Sequence, residues 1–290
     1  MEHLKSLWHN QLAPNSFCKL KKLKIKFCNE ISNVFPSFVL NKLQNLEIVT
    51  ISNCPILEVL FETQGLKADG GRQTRLEMQL RTLSLKHLPI LKHIWSENPN
   101  ESFKFQNLCK LKVTECITLN HVLPLSLAKE LQHLQELCIQ GCDIEVVVAQ
   151  DEITDKDPKF IFPEFTSLSF QHLTQLQSFY RGLHTLDCPV LRHVDVLHCD
   201  KLVLFKPKSP NYQEIVPVDT VPLLSIEKVH STSQYSIKKW KNTLCLFNIY
   251  VLCCSLLSLS KSKENASVSF SSVYVFIKFI CLCPGILFFT

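Results

Sequence analysis

Apolar residues fall along most of the chain in one spaced pattern, Leu-x-x-Leu-x-Ile-x-x-Cys, which opens at Leu20, Leu23, Ile25 and Cys28. It returns at Leu46, Val49, Ile51 and Cys54, at Leu80, Leu83, Leu85 and Leu88, and at Leu108, Leu111, Val113 and Cys116. Three further copies are Leu134, Leu137, Ile139 and Cys142; Phe165, Leu168, Phe170 and Leu173; and Leu191, Val194, Val196 and Cys199. Successive first positions lie 26, 34, 28, 26, 31 and 26 residues apart. A period near this range marks a leucine-rich-repeat solenoid rather than a single globular core.

A longer period lies over the short one. A shift of 88 carries Leu20 onto Leu108, Cys28 onto Cys116, Pro36 onto Pro124 and Cys54 onto Cys142. A shift of 85 carries Leu80, His87 and Leu88 onto Phe165, His172 and Leu173, and Trp95 onto Tyr180. The ladder therefore reads as duplicated in blocks larger than one repeat.

A repeat this small cannot bury its own apolar face and must stack on its neighbours. In Leu-x-Ile the two apolar residues point into the stack and the residue between them points out. The stretch from each cysteine to the following proline reads as a turn, and the segment after it as a helix on the outer side. Pro124 suits a first helical turn, followed by Leu127, Leu131 and Leu134 at helical spacing; Phe35, Val39, Leu43 and Leu46 repeat that arrangement one block earlier. The predicted fold is α/β: a curved solenoid over residues 1–207, with parallel strands on the concave face and helices or turns on the convex face. A non-repeat tail, 208–290, follows.

The formal charge of +5 over 290 residues is modest, and no basic stretch is interleaved with aromatics, so a nucleic-acid binder is not indicated. Of the fourteen cysteines, Cys28, Cys54, Cys116, Cys142 and Cys199 share one ladder position, where a small apolar thiol packs without a partner. With no apolar signal at the start, this indicates a reduced, cytoplasmic compartment. His133, Cys138 and Cys142 lack the Cys-x-x-Cys spacing of structural zinc sites, as do Cys253 with Cys254 and Cys281 with Cys283. His87 and His172 occupy equivalent repeat positions, which favours a structural role. There are six glycines and no phosphate-cradling loop, nucleophile elbow or zinc-protease helix. Asp151, Glu152, Asp155 and Asp157 read as a solvated loop, and Asn100-Glu101-Ser102 as a chance sequon. Neither an enzyme nor any cofactor is expected.

The candidate working surface is the outward side of the predicted strands: Lys22, Lys24 and Lys26; Thr50 and Ser52; Ser84 and Lys86; Lys110, Lys112 and Thr114; Glu136 and Gln140; Ser169 and Gln171; His193 and Asp195. Its first half is basic and its last part more neutral, which would recruit an acidic protein or an acidic domain of a parent chain.

Three features together resemble the C-terminal leucine-rich-repeat region of plant disease-resistance proteins of the coiled-coil, nucleotide-binding class. They are the cysteine-ended ladders, the segments Leu4-Lys5-Ser6-Leu7-Trp8 and Leu91-Lys92-His93-Ile94-Trp95, and the Cys-to-Pro stretches 28–36 and 116–124. The resemblance covers about residues 1 to 207. It implies a repeat region that senses pathogen effectors or modified host proteins and restrains a nucleotide-binding switch. The partners implied are an effector, a guarded host protein or the nucleotide-binding domain itself. Leu4, Leu7 and Trp8 align with the middle of a block, so the chain reads as a gene fragment, a truncated paralogue or one piece of a longer protein. Two alternatives are an F-box substrate adaptor, which expects an F-box and more even steps, and a membrane-attached receptor fragment.

Beyond Pro207 the ladder stops. Residues 244–259 and 268–290 are apolar runs joined by a short segment containing Lys261, Lys263 and Glu264. They read either as a membrane hairpin or, better, as a divergent C-terminus with no selected role, since the serines dilute both runs and no aromatic belts flank them.

Overall fold

The computed structural model describes residues 4–8, 16–62, 76–96, 103–150, 158–181 and 184–202, together with the strand Gln234–Lys238. Each ladder builds one coil. The first coil gives β1 (Lys22–Lys26), the short β2 (Asn33–Phe35) and helix α1 (Ser37–Leu40), and the second gives β3 (Ile48–Ser52) and β4 (Val59–Phe61). Next, β5 (Leu76–Glu77) leads into β6 (Thr82–Lys86) and β7 (His93–Trp95), and β8 (Phe103–Lys104) into β9 (Lys110–Thr114) and helix α2 (Leu125–Glu130). β10 (Glu136–Gln140) and β11 (Val146–Val148) follow. Then β12 (Lys159–Ile161) leads into β13 (Ser167–Gln171) and β14 (Ser178–Tyr180), and β15 (Thr185–Asp187) into β16 (His193–Leu197), with β17 (Gln234–Lys238) last.

One parallel sheet runs in the order β1-β3-β6-β9-β10-β13-β16-β17. Its register places ladder position on ladder position: Leu23 faces Val49, Val49 faces Leu83, Leu83 faces Leu111, and Leu111 faces Leu137. The inward residues join one continuous core from Trp8 to Leu202. Each coil buries its leucines against the coils on either side, as expected for a quasi-one-dimensional stack. The leucine-rich-repeat architecture is therefore present.

The turn leaving each strand follows one rule. Phe27, Asn53, His87, Glu115, Gly141, His172 and His198 all adopt the left-handed conformation, with φ between 52° and 61°. Their backbone N–H groups extend the ladder by one bond: Phe27 donates to the Ser52 carbonyl, His87 to Thr114, Glu115 to Gln140 and Gly141 to Gln171, at 2.8–3.1 Å. The residue after this turn is the cysteine, whose thiol reaches back two residues. Cys28, Cys54, Cys116, Cys142 and Cys199 donate to the carbonyls of Lys26, Ser52, Thr114, Gln140 and Leu197 at 3.4–3.6 Å. A small, weakly polar side chain thus suits this buried position better than the leucine used at Leu88 and Leu173.

The convex side departs from the expected helices. The stretches read as turns carry short strands, and these pair into further sheets, β2-β4-β7 and β11-β14. Helices occur at two described places, where Pro36 and Pro124 stand just before the first helical residue. Leu43–Leu46 and Leu131–Leu134 are tight turns, closed by bonds from Leu46 to Leu43 and from Leu134 to Leu131, so the helical spacing read there arises from a strand or short helix followed by a turn. The second row has its own aromatic column: Phe35 stacks on Phe61 at 4.8 Å, and Phe61 neighbours Trp95 at 6.1 Å and Phe105 at 5.5 Å.

The sheet also runs past residue 207. β17 lies inside the segment read as a non-repeat tail, and its Tyr235 and Ile237 are in register with Val194 and Val196. The apolar runs 244–259 and 268–290 with Lys261, Lys263 and Glu264, the 151–157 acidic loop and Asn100 lie outside the described residues. Among the described residues no helix is long and apolar enough to cross a membrane.

Candidate functional site

The register of the sheet gathers the outward residues into three rows that cross the strands. The first row runs Lys22, Ile48, Thr82, Lys110, Glu136, Ser167 and His193; the second Lys24, Thr50, Ser84, Lys112, Cys138, Ser169 and Asp195. The third runs Lys26, Ser52, Lys86, Thr114, Gln140, Gln171 and Leu197. Every residue selected from the sequence lies in one of these rows. Ile48, Thr82, Cys138, Ser167 and Leu197 complete them, and strict alternation along each strand is the signal that finds them.

Two of the selected residues are corrected by the structure. Ser52 and Thr114 are 5% and 4% exposed, so neither offers a free hydroxyl to a partner. Each is a short side chain whose register neighbours are long: Lys26 and Lys86 flank Ser52, and Lys86 and Gln140 flank Thr114.

The charges divide the face in two. Lys110 is held by Glu136 at 2.6 Å, an exposed pair worth little in stability. Gln171 donates to Asp195 at 2.6 Å and to Ser169 at 3.3 Å, so the polar groups at that end engage each other. By contrast Lys24, Lys26, Lys86 and Lys112 are exposed and have no carboxylate partner among the described residues. Beside the face, Lys21 bonds Glu47 at 2.8 Å and holds its carboxyl below the usual range.

The residues weighed as metal ligands are not brought together. His133 pairs with Glu164 at 2.8 Å, Cys142 lies in the core against Cys116, and Cys138 faces out from the sheet. Among the described residues there is no cluster of three His, Cys, Asp or Glu side chains able to hold a metal. The nine described cysteines are free thiols. The Cys116 thiol is pushed up by its hydrogen bond with Cys142 and then by burial, and Cys188 is pushed up to about 12, chiefly by burial.

Residues 1–143 match the family model of plant disease resistance protein RPS2-like leucine-rich repeats. This half is thus similar to the repeat region of a plant resistance protein. The matched span contains β1 to β10, and with them Lys24, Lys26, Lys86 and Lys112. The coils of β13 and β16 lie outside it yet keep the same register and the same left-handed turn. Matches with curated proteins and with solved structures are absent. The similarity supports a protein-interaction scaffold in resistance, the general role of such repeats.

Proposed function

We propose that the chain is a non-catalytic recognition scaffold of plant defence, whose outward strand rows over β1 to β9 bind an acidic protein surface. In this reading the partner is a pathogen effector, a guarded host protein or the nucleotide-binding domain of a resistance protein, and engagement keeps that switch inactive until a signal arrives. The observation that carries it is the set Lys24, Lys26, Lys86 and Lys112, exposed on one face with no carboxylate partner among the described residues, within the span similar to resistance-protein repeats. Complementary charge speeds encounter and selects partners, and it does so most where the protein's own acids have not neutralised it. The nine free thiols among the described residues support a reducing, cytoplasmic setting.

The test is co-expression of the full chain with the nucleotide-binding domain of a plant resistance protein. Salt-sensitive co-purification is expected, and it should be lost when Lys24, Lys26, Lys86 and Lys112 are all changed to Glu. Binding that is unchanged in the charge-reversed protein would count against the concave face.

A further inference from the structure

The four turns that leave β1, β3, β6 and β9 stand side by side and enclose a groove of about 490 Å³ along one edge of the sheet. One wall is the row of left-handed residues, Phe27, Asn53, His87 and Glu115; the other is the row two residues on, Asn29, Pro55, Pro89 and Ile117. From this geometry we infer that the groove is a docking site, separate from the concave rows, for an extended peptide segment that alternates apolar and acidic side chains.

Three observations define that occupant. Phe27 and Ile117 are 63% and 53% exposed, the most exposed of the large apolar side chains described, and they stand at opposite ends of this groove. Phe27 is also in the left-handed region at φ 55°, a conformation unfavourable for a bulky residue. The fold gains little burial from its side chain in return, whereas Asn or Gly would make the turn more easily. Both ends therefore offer apolar contact that the chain itself does not use.

The polar groups fix the rest. Lys26 and Lys86 immediately precede Phe27 and His87 and carry no carboxylate partner among the described residues, so the rim toward the sheet is positive. The groove's own carboxylate, Glu115, is held by His87 through Nδ1 at 2.5 Å. Acidic side chains are thus complementary at the rim. The amides of Asn29 and Asn53 make no side-chain hydrogen bond among the described residues and are available to a peptide backbone. Strand spacing of about 4.8 Å puts three intervals, roughly 14 Å, between Phe27 and Glu115, which four to five extended residues span.

The experiment uses the full chain against an array of short peptides that permute Asp, Glu, Leu, Phe, Lys and Ser. The best binders are then measured in solution by fluorescence anisotropy. The expected result is selection of alternating acidic and apolar sequences. Phe27→Ser with Ile117→Ser should weaken binding about tenfold or more, with strand content unchanged by circular dichroism. Ile161→Ser with Val190→Ser, exposed apolar residues outside the groove, should leave the affinity within about twofold, whereas Lys24→Glu with Lys112→Glu, on the concave rows, tests the face proposed above. Selection of basic or purely polar peptides would overturn the proposal, as would indifference to Phe27→Ser with Ile117→Ser. Loss only with the concave substitutions would move the site to the face proposed above. Binding to phosphatidylserine vesicles with no peptide selected would make the patch a lipid-facing one, and would equally overturn the peptide reading.

Discussion

Replacing Phe61 by alanine should uncouple the first two coils from the rest of the stack. Phe61 is fully buried, and its ring meets Phe35 of the first coil, Trp95 of the third and Phe105 beyond it, at 4.8, 6.1 and 5.5 Å. Truncation of a buried Phe costs about 3–5 kcal/mol from lost transfer energy and the cavity left behind. Loss of the ring pairs adds about 0.5–1.5 kcal/mol each. In a solenoid each coil contacts only its neighbours, so the loss is a local interface term and is not shared evenly. Native-state hydrogen exchange read by peptide mass spectrometry measures it strand by strand. At 1.4 kcal/mol per tenfold, amides of β1 and β3 should exchange about a hundredfold or more faster, while β13 and β16 stay near their original rates. A uniform acceleration across all strands would refute the one-dimensional account, because it would mean a single cooperative core. A change below about threefold in β1 and β3 would refute the assigned role of the ring cluster. Phe27→Ala provides the control, since its exposed side chain should shift stability by no more than about 0.5 kcal/mol.

Gly141→Ala should destabilise by about 1 kcal/mol in urea titration: the left-handed turn at φ 61° disfavours a Cβ by about 1–2 kcal/mol, partly offset by the lower entropy of the unfolded alanine chain. The new Cβ would also lie 3.2 Å from Cγ of Glu115, which must move aside. Burial, and then the nearby His93 ring, hold the His121 imidazole at about 4 against an ordinary 6.5. The unfolded chain therefore binds more protons between these values, so stability should fall as pH drops from 6.5 toward 4, and His121→Gln should flatten that part of a pH–stability curve. Thiol labelling followed by peptide mapping should modify Cys18 first, with Cys54, Cys116, Cys142 and Cys199 reacting only on unfolding, because Cys18 is exposed and the others are buried.

The ladder was legible because every coil solves the same burial problem, so Leu, Val, Ile and Cys recur where neighbouring coils press on them. The left-handed row was not legible, since six of its seven members are not glycine. Their φ is imposed by the parallel ladder continuing through the turn, and Phe27 or His172 gives no local hint of it. The second sheet was missed for a related reason: three-residue strands such as Val59–Phe61 are too short to show a period of two. β17 escaped because it begins 41 residues after β16, a longer step than any in the ladder. The burial of Ser52 and Thr114 depends on the lengths of side chains one strand away, which become neighbours only once the register is known.

What the ladder fixes is packing, so any information about a partner must lie in positions that packing leaves free. Those positions differ sharply between the halves of the sheet. From β10 to β16 they largely satisfy one another: Glu136 takes Lys110, and Gln171 bridges Ser169 and Asp195. From β1 to β9, Lys24, Lys26, Lys86 and Lys112 keep their charge and the edge groove keeps its apolar ends. Lys26 and Lys86 belong to both surfaces, the last outward residues of their strands and the rim of the groove. A single acidic partner that lays a surface on the rows and a flexible segment in the groove would use both together, and the linked segments would reinforce each other through effective concentration. Its exchange footprint should then cover Lys22–Lys26, Thr82–Lys86 and Lys110–Thr114 with the turns that follow them, and spare Ser167–Gln171 and His193–Leu197. Protection centred on β13 and β16 instead would mean that self-satisfied polar groups, not unpaired ones, mark the binding surface of this solenoid.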